Sequence, residues 1–281
     1  MCYRFILLCF LISIIFSQTQ VVIVEEMFMD APYVGKVITT NTKYATENIF
    51  KQEMQVDVDR FLVRIAMGGN KKAGTIIDGN SHMRYVYDSI EEEYAEENFQ
   101  SILSNDGKPR LKMMDNAFGG DGENRSSNDN EDTDELNDAN GNNNQVVRTI
   151  AKESERIGNL ISTKVTTEMS GSDGKMIIEE WFTTDTSLFR YVLDVESELI
   201  SAYGGQQKNT PRSFSESMLK NIGHEFESVE GQLVKYNMTQ KDSDGDDGFK
   251  MSWTIKQIKE DPFNQSDFIL SKDYKKVDDL N

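Results

Sequence analysis

The sequence predicts a mainly β protein of the α+β class, built on an antiparallel sheet or barrel. Short runs of β-branched and aromatic residues are separated by turn signals roughly every ten residues, which is typical of antiparallel strands. Within Leu160 to Thr184, two runs rich in β-branched residues flank the turn signal Gly171-Ser172-Asp173-Gly174, which predicts a hairpin. From Ser187 to Ala202 apolar residues recur at three- and four-residue spacings, which predicts an amphipathic helix.

The remaining elements follow from alternation and from glycine-rich or aspartate-rich breaks. The predicted strands outside the hairpin are Val21–Phe28, Val34–Tyr44, Ile49–Val58, Arg60–Met67, Ala73–Ile77, His82–Tyr87, Glu93–Ala95, Val146–Glu153, Gln232–Gln240 and Phe249–Ile258. A helical turn is predicted at Asn98–Leu103, and a second late helix at Ser213–Asn221.

The first residues predict export. Arg4 precedes an apolar run from Phe5 to Phe16 that only Ser13 interrupts, and the small Ser17 follows. This run is shorter than the ~20 apolar residues that span a bilayer. Residues 1–17 are therefore predicted to be a signal peptide, cleaved at about Ser17. The protein is expected in the periplasm or cell envelope, or secreted, with no stable membrane span; an uncleaved anchor is the alternative.

Composition limits the partners and the chemistry. Both cysteines, Cys2 and Cys9, lie in the predicted leader, so the mature chain would have no disulfide and no thiol nucleophile. Loss of Arg4 with the leader leaves 29 basic against 48 acidic residues, a net charge of −19. So acidic a surface disfavours nucleic acid and favours solubility. A monomer is expected.

One segment differs in kind from the rest. Residues at about 116–145 are dense in Asn, Asp and Gly and nearly free of large apolar side chains. Such a composition predicts a disordered acidic insert, because it buries too little apolar surface to offset chain entropy. Cation capture is an alternative role. Residues 18–281 otherwise suffice for a single domain.

No motif predicts catalysis, a metal or a cofactor. His82 and His224 are far apart in sequence, and a hydrolase would need a pocket that joins one of them to carboxylates. Asp242 to Gly248 partly imitates a calcium loop, but the twelfth position is Trp253 rather than Glu. A solvated hairpin turn is the favoured interpretation, with weak calcium binding as the alternative. The chain is predicted not to be an enzyme.

Several short segments together resemble a known family. They are Thr75–Asp88, Arg156-Ile157-Gly158, Glu179-Glu180-Trp181, Gly223–Glu227, Ser266–Phe268 and Asp273–Val277. In this order they resemble exported bacterial proteins of domain-of-unknown-function family 4412, which is related to the LolA/LolB-like lipoprotein carriers. Asn159-Leu160 departs from the Gly-Tyr that is usual in that family.

The resemblance implies a LolA-like half-open antiparallel β-barrel with two or three helices across its concave face. In the carriers the cavity between helices and sheet holds acyl chains. The favoured hypothesis is therefore a non-enzymatic envelope protein that binds a lipid, acyl chain or lipoprotein. The alternative is an envelope scaffold or protein-interaction domain whose cavity is filled by its own helices, since fold alone does not fix function.

Adaptable apolar side chains are the candidates for lining such a cavity. The chain contains 13 methionines, whose unbranched side chains suit a deformable lining. Plain core residues under a curved sheet would show the same pattern, and that alternative stays open. The candidates are Trp181, Trp253, Phe249, Met251, Met176, Ile178, Leu188, Tyr191, Val192, Met83 and Tyr85, with Tyr87 beside them.

Overall fold

A single large β-sheet organises the molecule. The computed structural model describes residues 18–66, 69–112, 145–172, 174–206, 213–221 and 226–280. Within these ranges twelve strands form one sheet that is not closed into a barrel. The prediction of a mainly β, open antiparallel fold with few helices is confirmed. The predicted signal peptide and nearly all of the predicted insert lie outside the described residues.

The strands, in chain order, are β1 Thr19–Ala31, β2 Gly35–Thr46, β3 Ile49–Val58, β4 Lys71–Asp78, β5 Met83–Asp88, β6 Glu93–Asn98, β7 Gln145–Ile157, β8 Leu160–Gly171, β9 Gly174–Thr183, β10 Gln232–Lys241, β11 Asp247–Pro262 and β12 Lys275–Lys276. The helices are α1 Phe61–Ala66, α2 Phe99–Leu103, α3 Ser187–Ala202 and α4 Phe214–Asn221, with a 3₁₀ turn at Gln265–Phe268.

The strand order is β12-β6-β5-β4-β3-β2-β1-β11-β10-β9-β8-β7. Neighbours pair antiparallel, except that β12 runs parallel to β6. Most links are between consecutive strands, and the pairing of β1 with β11 joins the first half of the chain to the second. None of the helices in these ranges is long and apolar enough to cross a membrane.

The predicted strand at Arg60–Met67 is wrong. Residues Phe61–Ala66 form helix α1 instead, and β3 pairs directly with β4 through Val56 and Lys71. The segment therefore connects two paired strands, and Phe61 and Leu62 are 63 % and 78 % exposed. A short run of consecutive apolar residues fits a helix as well as a strand, so periodicity alone does not separate them.

The main core lies between α3 and one face of the sheet, which we call the helix face. Helix α3 buries Phe189, Val192, Val195 and Leu199 there and contacts β1, β2, β3 and β11. The other buried residues of this core are Val21, Ile23, Ala45, Phe50, Ile77, Phe99, Ile102, Leu160, Trp181, Tyr203, Val234, Ile255 and Ile258.

The opposite face, which we call the outer face, is covered in the first half of the chain by the C-terminal segment. Gln20 Nε2 donates to Asp267 Oδ2 at 2.8 Å, and Lys51 Nζ donates to the Asp267 carbonyl at 2.8 Å. The ring of Phe268 packs edge-on against Tyr44 at 6.2 Å. The end of the chain is thus tied by hydrogen bonds and ring contacts to strands that begin the fold.

A buried ion pair anchors the edge of the sheet. Arg84 Nη1 donates to Glu97 Oε1 and to the Leu111 carbonyl, both at 2.7 Å. Glu97 Oε2 accepts from the Arg110 backbone N–H at 3.0 Å. Arg84 and Glu97 are each only 8 % exposed. Because both charges are desolvated and matched, removal of either one leaves the other uncompensated.

We predict that Arg84→Met lowers the free energy of unfolding by about 3 kcal/mol, because Glu97 is then buried without its counter-charge. Urea unfolding followed by far-UV circular dichroism measures the change. Lys275→Met is the matched control, because Lys275 forms an exposed pair with Glu93. This control should change stability by less than about 0.5 kcal/mol. Equal effects of the two substitutions would contradict the account.

Candidate functional site

Methionines from distant parts of the chain form a row across the helix face. Met29 of β1 lies opposite Met251 of β11, which lies opposite Met238 of β10. Met238 in turn lies opposite Ile178 of β9. Directly opposed residues of antiparallel strands project from the same face, so these four side chains are neighbours.

A second row, richer in aromatic residues, runs beside the first. Met27 lies opposite Trp253, and Trp253 lies opposite Tyr236. The rings of Tyr236 and Trp253 stack at 6.1 Å and 18°. The ring of Tyr236 also stacks on Phe214 of α4 at 5.2 Å and 8°. Helix α4 therefore borders this row through a ring contact.

We call the two rows together the apolar strip. Its members are Met27, Met29, Tyr236, Met238, Phe249, Met251 and Trp253, since Phe249 packs against the cluster that contains Met29. Met29 and Met238 are buried, whereas the other five are only half-buried. Flexible thioethers beside flat aromatic rings form an adaptable apolar surface, which suits a hydrocarbon chain.

Some of the predicted cavity residues come together here. Phe249, Met251 and Trp253 belong to the apolar strip, and Ile178 extends the methionine row. Met176 is half-buried on the same face as Ile178, opposite Met169 of β8. These five predicted residues therefore share one region of one face.

The residues predicted from α3 lie elsewhere. Val192 is fully buried in the main core, and Leu188 packs against that core. Tyr191 is 37 % exposed. In the main core, the side chains of α3 itself fill the space between helix and sheet.

Trp181 is also separate from the strip. It alternates with Glu180 and Phe182 along β9, and its Nε1 donates to Glu155 at 2.8 Å. Lys235 Nζ lies 4.3 Å and Lys164 Nζ lies 5.1 Å from its ring. Trp181 is thus a buried residue of the main core, with a hydrogen bond and two cation contacts in addition.

Met83, Tyr85 and Tyr87 project from the outer face. They alternate along β5 with Arg84 and Val86, which continue the helix face through Ile77 and Ala95. Tyr87 Oη donates to Glu53 Oε2 at 3.0 Å, and burial raises the pKa of Tyr87 well above its ordinary value. Met83 lines a polar cavity of about 470 Å³ at the edge of the sheet.

A buried carboxylate fixes α4 beside the strip. Glu180 is fully buried and accepts hydrogen bonds from the backbone N–H groups of Phe214 at 2.7 Å and Ser215 at 3.2 Å. The hydroxyls of Ser213 and Ser215 also donate to it. A helix N-terminus favours a negative charge. The sequence places Glu180 on a face with Met176, Ile178 and Phe182, but it does not reveal this partner.

A polar cluster also interrupts the helix face, and sequence reasoning missed it. It consists of Glu25, Asn41, Lys43 and Gln52, which occupy β1, β2 and β3 between apolar neighbours. Glu25 accepts from Lys43 Nζ at 3.0 Å and from Asn41 Nδ2 at 2.9 Å. Gln52 Nε2 donates to Asn41 Oδ1 at 3.0 Å. Burial lowers the pKa of Lys43, but the charge of Glu25, the hydrogen bond to Glu25 and the charge of Glu196 together hold the pKa above its ordinary value.

The potential catalytic and metal-binding residues stay dispersed. His82 lies on an exposed turn with its ring against Phe99, while His224 lies outside the described residues. Asp242 Oδ1 accepts from the N–H groups of Asp244 and Asp246, so the predicted hairpin turn is confirmed. Across the described ranges, no group of three or more His, Cys, Asp or Glu side chains is placed to hold a metal ion.

Comparison with known proteins gives loose structural similarities alone. No family model matches the chain, and no curated protein matches it. A domain described as an outer membrane lipoprotein-sorting protein from Vibrio parahaemolyticus aligns at 8% identity and a TM-score of 0.25, over 89% of this chain and 88% of that one. A LolA superfamily protein from Nitrosomonas europaea aligns at 11% identity and a TM-score of 0.24, over 92% of this chain and 93% of that one. Both superpositions are loose.

We predict that Glu180→Gln lowers the free energy of unfolding by about 2 kcal/mol, because charge-assisted hydrogen bonds to the N-terminus of α4 are lost. Chemical denaturation measures this change. Glu168→Gln is the matched control, since Glu168 forms an exposed pair with Lys175. The anchoring role of Glu180 is refuted if both variants are as stable as the parent chain.

Tyr236 gives a prediction on alkaline stability. Burial raises the pKa of Tyr236 to about 12 in the folded protein. Between the ordinary tyrosine pKa of about 10 and this value, the unfolded chain releases the proton more readily, so the folded state loses stability as pH rises. Tyr236→Phe should make that loss smaller in urea unfolding between pH 9 and pH 12. Tyr33→Phe, at a residue 90 % exposed, should leave the slope unchanged, whereas equal slopes for all three proteins would contradict this.

Proposed function

We propose that this chain is an exported, non-enzymatic protein of the bacterial cell envelope that binds a hydrophobic or lipid-like ligand on the apolar strip. One observation carries the proposal. Met27, Tyr236, Phe249, Met251 and Trp253 are only half-buried, although they are adjacent on one face. Adjacent exposed apolar groups on a soluble protein mark a binding surface more often than scattered ones do.

The chemistry of the strip suits a flexible hydrocarbon. Methionine side chains adapt to irregular shapes, and Trp253 and Tyr236 offer flat apolar faces. Tyr236 stacks on two rings, those of Phe214 and Trp253. Helix α4, anchored through Glu180, therefore gives the strip one firm border against which a chain can lie.

A second candidate function has its own supporting observation. Because Phe189, Val192, Val195 and Leu199 fill the space under α3, the region predicted to be a cavity is occupied there by the protein itself. This favours an envelope scaffold or protein-interaction domain with a self-filled cavity. The two candidates differ in whether the apolar strip takes up a hydrocarbon ligand.

We predict that the purified protein takes up the neutral fluorescent probe N-phenyl-1-naphthylamine and that acyl lipids displace it. Met251→Gln should weaken probe binding about tenfold, because an apolar contact in the strip is lost. Fluorescence titration measures the affinity. Ile161→Gln is the matched control, because Ile161 is 63 % exposed and lies outside the strip, so its affinity should be unchanged.

Native mass spectrometry and solvent extraction of protein purified from the envelope fraction extend this test. The proposal expects co-purifying lipid and a mature chain that begins near Gln18. A protein that binds neither probe nor lipid favours the scaffold function. A protein that stays in the cytosol with residues 1–17 attached contradicts export.

A further inference from the structure

Two buried hydroxyls flank the polar cluster without a hydrogen-bond partner. Thr39 Oγ1 and Thr75 Oγ1 are both buried and unpartnered, in residues that are only 9 % and 7 % exposed. Buried polar atoms in folded proteins are nearly always satisfied, so each exception asks for an explanation. A group supplied from outside the chain is one such explanation.

The register of the sheet places both hydroxyls on the helix face. Thr39 is two residues from Asn41 and four from Lys43 on β2, so the three side chains project from the same face. Thr75 of β4 lies directly opposite Gln52 of the polar cluster. The cluster is therefore bordered by a free hydroxyl at each end.

The polar cluster also adjoins the apolar strip. Thr39 lies directly opposite Met27, the first residue of the aromatic row. Glu25 precedes Met27 by two residues on β1 and so projects from the same face. The side chains of Glu25 and Lys43 are 15% and 23% exposed, so the cluster is not sealed. Polar and apolar surfaces thus meet at Met27.

We propose that the polar cluster, together with the hydroxyl of Thr39, binds the uncharged, hydroxyl-bearing head group of an amphiphile whose hydrocarbon chain lies on the apolar strip. This inference rests on the proposed function and specifies the class of its ligand. A glycerol-type head both donates and accepts hydrogen bonds. It can therefore satisfy the Thr39 hydroxyl and reach Asn41 or Glu25 at the same time, since Asn41 is two residues from Thr39 on β2 and Glu25 lies opposite Asn41.

The charges around the polar cluster select against an anionic head. Lys43, its one cation, is already paired with Glu25. The negative charge of Glu196, on α3, also raises the pKa of Lys43. A carboxylate or phosphate head would have to compete with two acidic side chains for this cation, in a protein of net charge −18. A neutral head avoids that repulsion.

Three ligands with the same acyl chain test the proposal by displacement of N-phenyl-1-naphthylamine. They are monolauroylglycerol, methyl laurate and laurate. The parent protein should bind monolauroylglycerol about tenfold more tightly than methyl laurate, because only a head group that offers hydrogen bonds can satisfy the buried hydroxyl of Thr39. Laurate should bind most weakly at pH 8.

The variant Thr39→Val should lose this preference and bind the two esters equally, with unchanged affinity for methyl laurate. Its melting temperature should not fall, because valine matches the shape of threonine and removes an unsatisfied group. Thr167→Val is the matched control. Thr167 also has a buried, unpartnered hydroxyl on the helix face, but on β8 and away from the polar cluster.

The outcomes separate this inference from the proposed function. The inference is overturned if the parent protein binds monolauroylglycerol and methyl laurate equally, or if Thr39→Val keeps the preference. It is also overturned if Thr167→Val removes the preference to the same degree. Failure of every ligand to displace the probe would overturn the proposed function itself.

Discussion

The register of the strand ladders is the constraint on which the rest of the structure depends. Because side chains alternate between the faces of a strand, one fixed register decides every neighbour on both faces at once. Met29, Met251 and Met238 are far apart in sequence and become adjacent only through the pairing of β1 with β11 and of β11 with β10. A shift of one residue would send all of them to the outer face.

The same register creates an apolar face that must be covered. Helix α3 covers the part over β1, β2 and β3 with its own buried side chains. Helix α4 is held near β9 and β10 by a buried carboxylate, Glu180, and by the stacking of Phe214 on Tyr236. The apolar strip lies where neither helix completes the cover. Its partial exposure is therefore a consequence of how two helices are distributed over one broad face.

Much of the fold could be predicted from the sequence, because its signals are local. The limits of α3 match the predicted Ser187–Ala202, since an amphipathic period and the following glycines mark them. β3 likewise matches Ile49–Val58. The strand prediction at Phe61–Ala66 was wrong because consecutive apolar residues show no period that distinguishes a helix from a strand.

The candidate site was less predictable because it is made by long-range pairing. Phe249, Met251 and Trp253 could be named from their alternation, but their neighbours Met27 and Met29 could not, since the sequence does not show that β1 pairs with β11. Met83 and Tyr85 are also a methionine and an aromatic residue in a predicted strand, but they project from the outer face. The polar cluster around Glu25 and Lys43 was missed because polar residues in a strand ordinarily face solvent.

The central claim is that a hydrocarbon ligand occupies the apolar strip, and methionine methyl NMR tests it most directly. In protein labelled at the methionine ε-methyl groups, monolauroylglycerol is added stepwise and each resonance is followed. The account predicts that the signals of Met27 and Met251 shift on binding, while that of Met83 on the outer face does not. Unmoved strip methyls at saturating ligand, or an equal shift of Met83, would contradict it.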